Sequence, residues 1–223
     1  MVSKLLDEKI KEQVKEFFND LDKPVKLLFF GSKEQHCEYC QETFGLLSEI
    51  AELNELISFE EFDFDINTDE VNQYQIDKVP MTVIAGLDEN ETIDHGIRLS
   101  GIPAGHEFTT LINDIVMVSK RDSGLSPAIR EKLANLTNPV NLQVFVTPTC
   151  PYCPQAVILA HQMAIESAFV KGEMVEAMEF ADLSNKYNVS GVPHTIINEG
   201  SGEVVGAVPE THLMNEIEKA LAI

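Results

Sequence analysis

Basic residues are scarce. The 223-residue chain holds 16 Lys and Arg against 37 Asp and Glu, a formal net charge of −21. Such a surface repels phosphate backbones and anionic lipid, which argues against nucleic acid or a membrane surface as partner and weakly favours basic ones. The acidic residues are spread along the chain and form no tail, so they read as a solvated surface. Long apolar runs are missing as well: no stretch approaches the ~18 residues of a membrane span. The opening MVSKLLDEKIKEQVKEFF places Leu5, Leu6, Ile10, Val14, Phe17 and Phe18 at helical spacing among charges. That pattern predicts a helix rather than a targeting segment, and a soluble, cytoplasmic protein is expected. Cysteine is limited to four residues, all in two Cys-x-x-Cys pairs, which is unlike a secreted disulfide scaffold. What the chain has in quantity is hydrophobic residues, 44%, enough for one large core or two small ones.

The chain repeats itself. Cys37 and Cys150 lie 113 residues apart, as do Cys40 and Cys153, and Tyr74 to Pro80 matches Tyr187 to Pro193 at the same interval. Thr82 and Thr195 continue the match. Pro103 to Phe108 echoes Pro209 to Met214 at 106, which fits a shorter connection in the second copy near Gly200 to Gly202. An old duplication spanning nearly the whole chain is the natural explanation.

Both copies share one grammar, αβαβαββα. The expected elements of the first are a helix over Leu5–Asn19, a strand over Val25–Phe30, a helix opened by the cysteine pair over Cys37–Leu56, a strand over Ser58–Asp65, a short helix over Asp69–Tyr74, hairpin strands Thr82–Ala85 and Gly96–Leu99, and a closing helix Gly105–Val118. The second copy predicts a helix over Ser126–Leu136, a strand over Val140–Val146, a helix over Pro151–Phe169, a strand over roughly Met174–Phe180, a short helix over Ala181–Tyr187, strands Thr195–Asn198 and Glu203–Ala207, and a helix over Thr211–Ala222. Ser126-Pro127 is a helix start, an N-cap followed by Pro in the first turn. Lys120 to Gly124 reads as the linker, giving units 1–120 and 121–223. The strand-helix-strand opening wants parallel strands, and the later hairpin is antiparallel.

In each copy the first cysteine falls where a strand ends and a helix begins. Free N–H groups at a helix N-terminus carry about half a positive charge and stabilise a thiolate. A second cysteine three residues on can close a small disulfide. Cys37 or Cys150 would attack a substrate disulfide, and Cys40 or Cys153 would resolve the mixed disulfide. The alternative is one tetrahedral zinc site with four thiolate ligands, a zinc-bound interaction module. Against it, each pair lies inside its own copy, and both copies share a Val-Pro whose proline stands 40 residues after the second cysteine. Two inert structural disulfides would do little, since such short loops barely constrain the unfolded chain.

The CEYC and CPYC motifs, the pairs Val79-Pro80 and Val192-Pro193 and the element order resemble two thioredoxin/glutaredoxin-fold units in tandem. With TPTCPYCP in the second unit, the arrangement closely resembles the protein disulfide oxidoreductases of thermophilic archaea and bacteria over essentially the whole chain. The resemblance implies an α/β fold of two tandem thioredoxin-fold units, each a central mixed sheet flanked by helices, joined into one continuous sheet. It implies reduction, oxidation and possible isomerisation of protein disulfides, cis prolines at Pro80 and Pro193 facing their cysteine pairs, and a role in cell redox homeostasis. It implies no bound cofactor beyond redox-active disulfides. Electrons would pass through an NADPH-dependent, thioredoxin-reductase-like flavoprotein, and the other partners would be proteins with thiols or disulfides.

Cys37, Cys40, Cys150 and Cys153 are the expected catalytic residues. Val79, Pro80, Val192 and Pro193 are expected to bind substrate: proline has no N–H, and the preceding backbone is free to pair with an extended peptide. Tyr39 and Tyr152, between the cysteines, read as exposed apolar contacts for substrate. Glu38 beside Cys37 opposes thiolate formation where the second site has Pro151, so Cys150 is expected to have the lower pKa and do most of the exchange. Asp63 or Asp65 is a candidate proton acceptor, with solvent exposure the competing reading. His36 and His194 are candidates beside the dithiols. His106 and His212 read as capping or packing residues, His161 as structural, and Tyr74 and Tyr187 as core. CPYC alone also fits a glutathione-dependent, glutaredoxin-like reductase. An electron relay to a peroxidase-reducing partner is a further reading, disfavoured because both pairs here are intact.

Overall fold

The computed structural model describes residues 5–33, 37–89 and 91–222. In chain order the elements are α1 (Glu8–Phe18), β1 (Val25–Gly31), α2 (Cys40–Ala51), β2 (Ile57–Asp63), α3 (Thr68–Tyr74), β3 (Met81–Asp88), β4 (Glu91–Ser100), α4 (Glu107–Lys120), α5 (Pro127–Ala134), β5 (Val140–Val146), α6 (Cys153–Glu166), β6 (Val170–Glu176), α7 (Ala181–Lys186), β7 (His194–Ile197), β8 (Gly202–Val205) and α8 (Glu210–Leu221). The repeated βαβαββα core of each copy and its leading helix appear in the order the pattern gave. α1 starts at Asp7, whose carboxylate accepts the Ile10 N–H at 2.8 Å. α5 starts at Ser126-Pro127 as expected, but the Ser126 side chain makes no cap bond, so proline at the first turn sets this start.

Several boundaries differ from expectation: β3 and β4 extend over Met81–Asp88 and Glu91–Ser100, and α2 ends at Ala51 rather than Leu56. α2 and α6 begin at the second cysteine of each pair, not at Cys37 and Pro151. Bringing the two Cα atoms to 5.5 Å holds the first cysteine in the turn before the helix. β6 occupies Val170–Glu176 instead of Met174–Phe180. Gly172 and two acidic residues hid it from an apolar pattern. A Cβ at Gly172 would sit 2.7 Å from the Ala160 carbonyl, so glycine lets α6 lie close on the strand. Glu173 is buried there because Lys78 (2.7 Å) and Gln143 (3.0 Å) bond it.

The eight strands form one sheet in the order β2-β1-β3-β4-β6-β5-β7-β8. β3 and β7 are antiparallel to their neighbours, and the other strands run one way. The two halves have the same internal order and join head to tail, β4 of the first against β6 of the second over Ile97–Ser100 and Gly172–Val175. One apolar core runs under both halves on the face that carries α1, α2, α4, α5, α6 and α8. Smaller cores on the opposite face lie under α3 and α7. β1 and β5 are apolar and buried almost throughout, and both cysteine pairs follow their C-terminal ends. The pairs therefore sit on the same edge of the sheet. Four strand spacings separate β1 from β5, roughly 19 Å at ~4.8 Å each.

Candidate active site

The four cysteines form two disulfides, Cys37–Cys40 and Cys150–Cys153. A single tetrahedral ion cannot bridge pairs held four strands apart, so the four-cysteine zinc reading is overturned by the topology. Cys37 and Cys150 lie just ahead of the N-terminal turns of α2 and α6, where the orphan N–H groups point. The pairs differ in burial. Cys153 is fully buried and Cys150 is 8% exposed, whereas Cys37 and Cys40 are both half-buried.

Val79-Pro80 and Val192-Pro193 are both cis peptides, as the resemblance implied. Val79 shares an apolar cluster with Cys37 and Cys40, and Val192 packs on the core that contains Cys150 and Cys153. Each proline carbonyl accepts the N–H of the glycine just past the second hairpin strand: Gly101, after β4, to Pro80 at 2.9 Å, and Gly206, after β8, to Pro193 at 2.8 Å. Tyr39 and Tyr152 are 36% and 68% exposed. Tyr74 and Tyr187 pack in the core as expected, against Phe30 and Phe145. His36 lies outside the described residues. His194 is buried with its ring on Glu203, 3.1 Å away, so its side chain faces its own hairpin. His106 and His212 are exposed, and His106 stands at the N-cap of α4 without a side-chain cap bond. Asp63 and Asp65 are half-buried. Asp63 lines a cleft of about 520 Å³ with Cys37, Cys40, Gln41 and Glu61, and Ser32 donates to Asp65.

Three groups were not legible in the sequence because their burial or surroundings depend on packing between the halves. The first is Glu107, 2% exposed in the first turn of α4. Burial pushes its carboxyl up to about 7, opposed by the Thr110 hydroxyl, which donates at 2.6 Å. α4 packs parallel to α6: the His106 N–H donates to Pro148 near one end (3.0 Å) and Asp114 meets His161 further down (2.8 Å). Glu107 is seven residues above Asp114, and Cys153 is eight above His161. Both therefore stand about two turns N-terminal to the Asp114–His161 contact, at the same end of the helix pair. One Glu107 oxygen has no partner among the described residues. The second group is Asp114 itself, fully buried, its carboxyl pushed up by burial and held back by His161. The third is Glu176 and Glu179, after β6. Burial raises both, Glu179 to about 7, and Glu38 beside Cys37 adds to each shift. A signal existed for Glu107 and Asp114: they interrupt an apolar helix stripe at positions matching Leu213 and Ala220 of the other copy.

Residues 140–219 match the model of the family described as Thioredoxin domain. The structure resembles a protein disulfide oxidoreductase from Aeropyrum pernix, 29% identical, with a TM-score of 0.86 over 96% of this chain and 94% of that one. It equally resembles the alkylhydroperoxide reductase component AhpF from Enterococcus faecalis, 28% identical, with a TM-score of 0.86 over 95% of this chain and 99% of that one. Among curated proteins, the corresponding alkyl hydroperoxide reductase component from Escherichia coli is 25% identical over 87% of this chain. The chain spans about a third of that relative's length, 34%. Among the described residues no helix is long and apolar enough to cross a membrane.

Proposed function

We propose that this chain, a thiol–disulfide oxidoreductase built of two tandem thioredoxin-fold units, works through two separate dithiol sites, one in residues 1–120 and one in 121–223. The observation that carries this is that both Cys-x-x-Cys pairs close as disulfides at the same edge of one sheet, each in a half with its own cis Val-Pro.

In the reducing direction, Cys150 as thiolate attacks one sulfur of a substrate disulfide and expels the other as a thiolate. Cys153 then attacks Cys150, releasing the second substrate sulfur and closing the enzyme disulfide. One disulfide is consumed and one formed, so electrons balance, and a proton leaves Cys153 on the way. Glu107, buried at the same end of the α4–α6 pair as Cys153, takes that proton. Val192-Pro193 and Tyr152 hold the peptide, with Val79, Pro80 and Tyr39 doing so at the first site. Cys37 and Cys40 perform the same exchange, and Glu38 disfavours the Cys37 thiolate. Cys150 therefore carries most of the turnover. Electrons reach both sites from an NADPH-dependent, thioredoxin-reductase-like flavoprotein in the cytoplasm, where the protein contributes to redox homeostasis.

A specific observation supports a second reading, relay to a peroxide-reducing partner: the similarity to the AhpF component of alkyl hydroperoxide reductase covers most of this chain. A glutathione-fed, glutaredoxin-like cycle remains the third. The test compares Cys37→Ser/Cys40→Ser with Cys150→Ser/Cys153→Ser in insulin reduction and in refolding of scrambled ribonuclease, with reductant supplied in turn by a thioredoxin-reductase-type flavoprotein and by glutathione. The first variant should keep most activity and the second a minor part. Activity of neither site with any protein disulfide would sink the reading.

A further inference from the structure

The head-to-tail join gives the two sites different surroundings. Gly101, whose N–H holds the Pro80 carbonyl, lies at φ +93° directly against the second unit: a Cβ there would meet Glu176 Cβ at 2.6 Å and Glu179 Oε1 at 2.7 Å. The next residue, Ile102, donates its N–H to that same Glu179 oxygen at 2.7 Å. Two carboxylates of the second unit thus border the ledge of the first site, and Glu38, in the CEYC turn, stands exposed near them. All three raise the pKa of Tyr39, Glu38 foremost. Glu176 Oε1 and Glu179 Oε2 have no partner among the described residues. Among the described residues the nearby cations are Lys78, already held by Glu173 and Asp77, exposed Lys186, whose ammonium lies 4.8 Å over the Tyr187 ring, and exposed Lys33, which lines the separate cleft with Cys37, Cys40 and Asp63. Asp182 lines the same groove.

The equivalent ledge of the second site has no such border. Gly206, which holds the Pro193 carbonyl, would meet nothing within 4 Å with a Cβ added, and neither would Gly191. Thr147 to Pro154 and Val189 to Pro193 contain no charged residue. His194, next to Pro193, is turned onto Glu203.

We propose that Glu38, Glu176 and Glu179 make the Cys37–Cys40 site selective for disulfides flanked by Lys or Arg, while the Cys150–Cys153 site takes disulfides without regard to charge. This rests on the two-site reading above and names the substrate class of its first site. A substrate laid on the Val79-Pro80 backbone passes between the CEYC turn and Glu179. A cationic side chain there meets exposed Glu38 and half-buried Glu179, with buried Glu176 contributing only its field, and an acidic one meets like charge.

The experiment uses two fluorogenic disulfide peptides identical except for Lys or Glu on either side of the cysteines. Each is offered to the full-length Cys150→Ser/Cys153→Ser and Cys37→Ser/Cys40→Ser variants at pH 8, at low and at high salt. The first-site enzyme should prefer the Lys peptide by about ten-fold in kcat/KM at low salt, falling to about two-fold at 0.5 M salt. Glu38→Gln and Glu179→Gln should each cut the preference while the Glu peptide gains. Glutamine keeps an acceptor for Ile102, so folding is spared, and exposed Glu38 provides a second, independent reading. The second-site enzyme should show a ratio near one. A ratio near one at the first site, or equal Lys preference at both sites, would overturn the proposal. Inactivity of the first-site enzyme on both peptides would instead remove the two-site reading on which it stands.

Discussion

Glu107 stands where the second copy has Leu213, a core residue. An acid there costs stability once ionised. Its carboxyl is raised to about 7 from an ordinary 4.5. The folded form therefore binds the proton more tightly than the unfolded chain, and its contribution is most favourable below pH 4.5. Stability then declines as pH rises from about 4.5 to 7, by up to about 3 kcal/mol. Glu107→Gln should flatten that slope in urea titrations at pH 5, 6 and 8, and make the protein more stable at pH 8. The same variant should slow resolution at Cys153 ten- to hundred-fold and abolish the rise in rate through pH 7. Trapped mixed disulfide on Cys150 is the readout that a merely structural role would leave unchanged. Glu107 was visible as a letter within a repeated segment. Its role was not, because α6 belongs to the other copy.

At the scale of elements, the seam between the halves is a strand pair and a helix pair. The helix pair buries Asp114 against His161, each 0% exposed. Removing one partner strands the other in the core. Asp114→Ala should cost about 3–5 kcal/mol, read by urea unfolding. His161→Leu with Asp114→Leu should cost far less than the sum of the single changes. Because α6 carries Cys153, the single variant should impair the second dithiol more than the first. The strands and helices were legible from periodicity and from Cys, Pro and Gly as punctuation. β6 was not. Its interior glycine and acids make sense only once Ala160, Lys78 and Gln143 are packed on it. The 113-residue interval carries β2 onto Val170–Glu176, so the repeat held the answer that local hydropathy concealed.

On the scale of the molecule, joining like units head to tail leaves a free β2 edge and a free β8 edge that match the two sides of the internal seam. Stacking a second copy there would repeat the seam register. The seam sets Arg98 opposite Glu173. The corresponding residues at the free edges, from the hairpin and β1–β2 registers, are Glu203 and Glu60. Like charges face each other there, which discourages an open-ended array. Glu203→Arg restores the seam's pairing and should produce concentration-dependent self-association in sedimentation velocity, reversed by salt. The amino-acid sequence by itself determined the duplication, the α/β class and the two dithiol pairs, because covalent spacing and local periodicity are properties of neighbouring residues. Tertiary structure alone decided the rest. It set the two pairs four strands apart, put Glu107 and Cys153 at the same end of the α4–α6 pair and brought Glu179 to the first site's rim. Those relations cross the seam, and burial and proximity between halves exist only once the strands have chosen their neighbours.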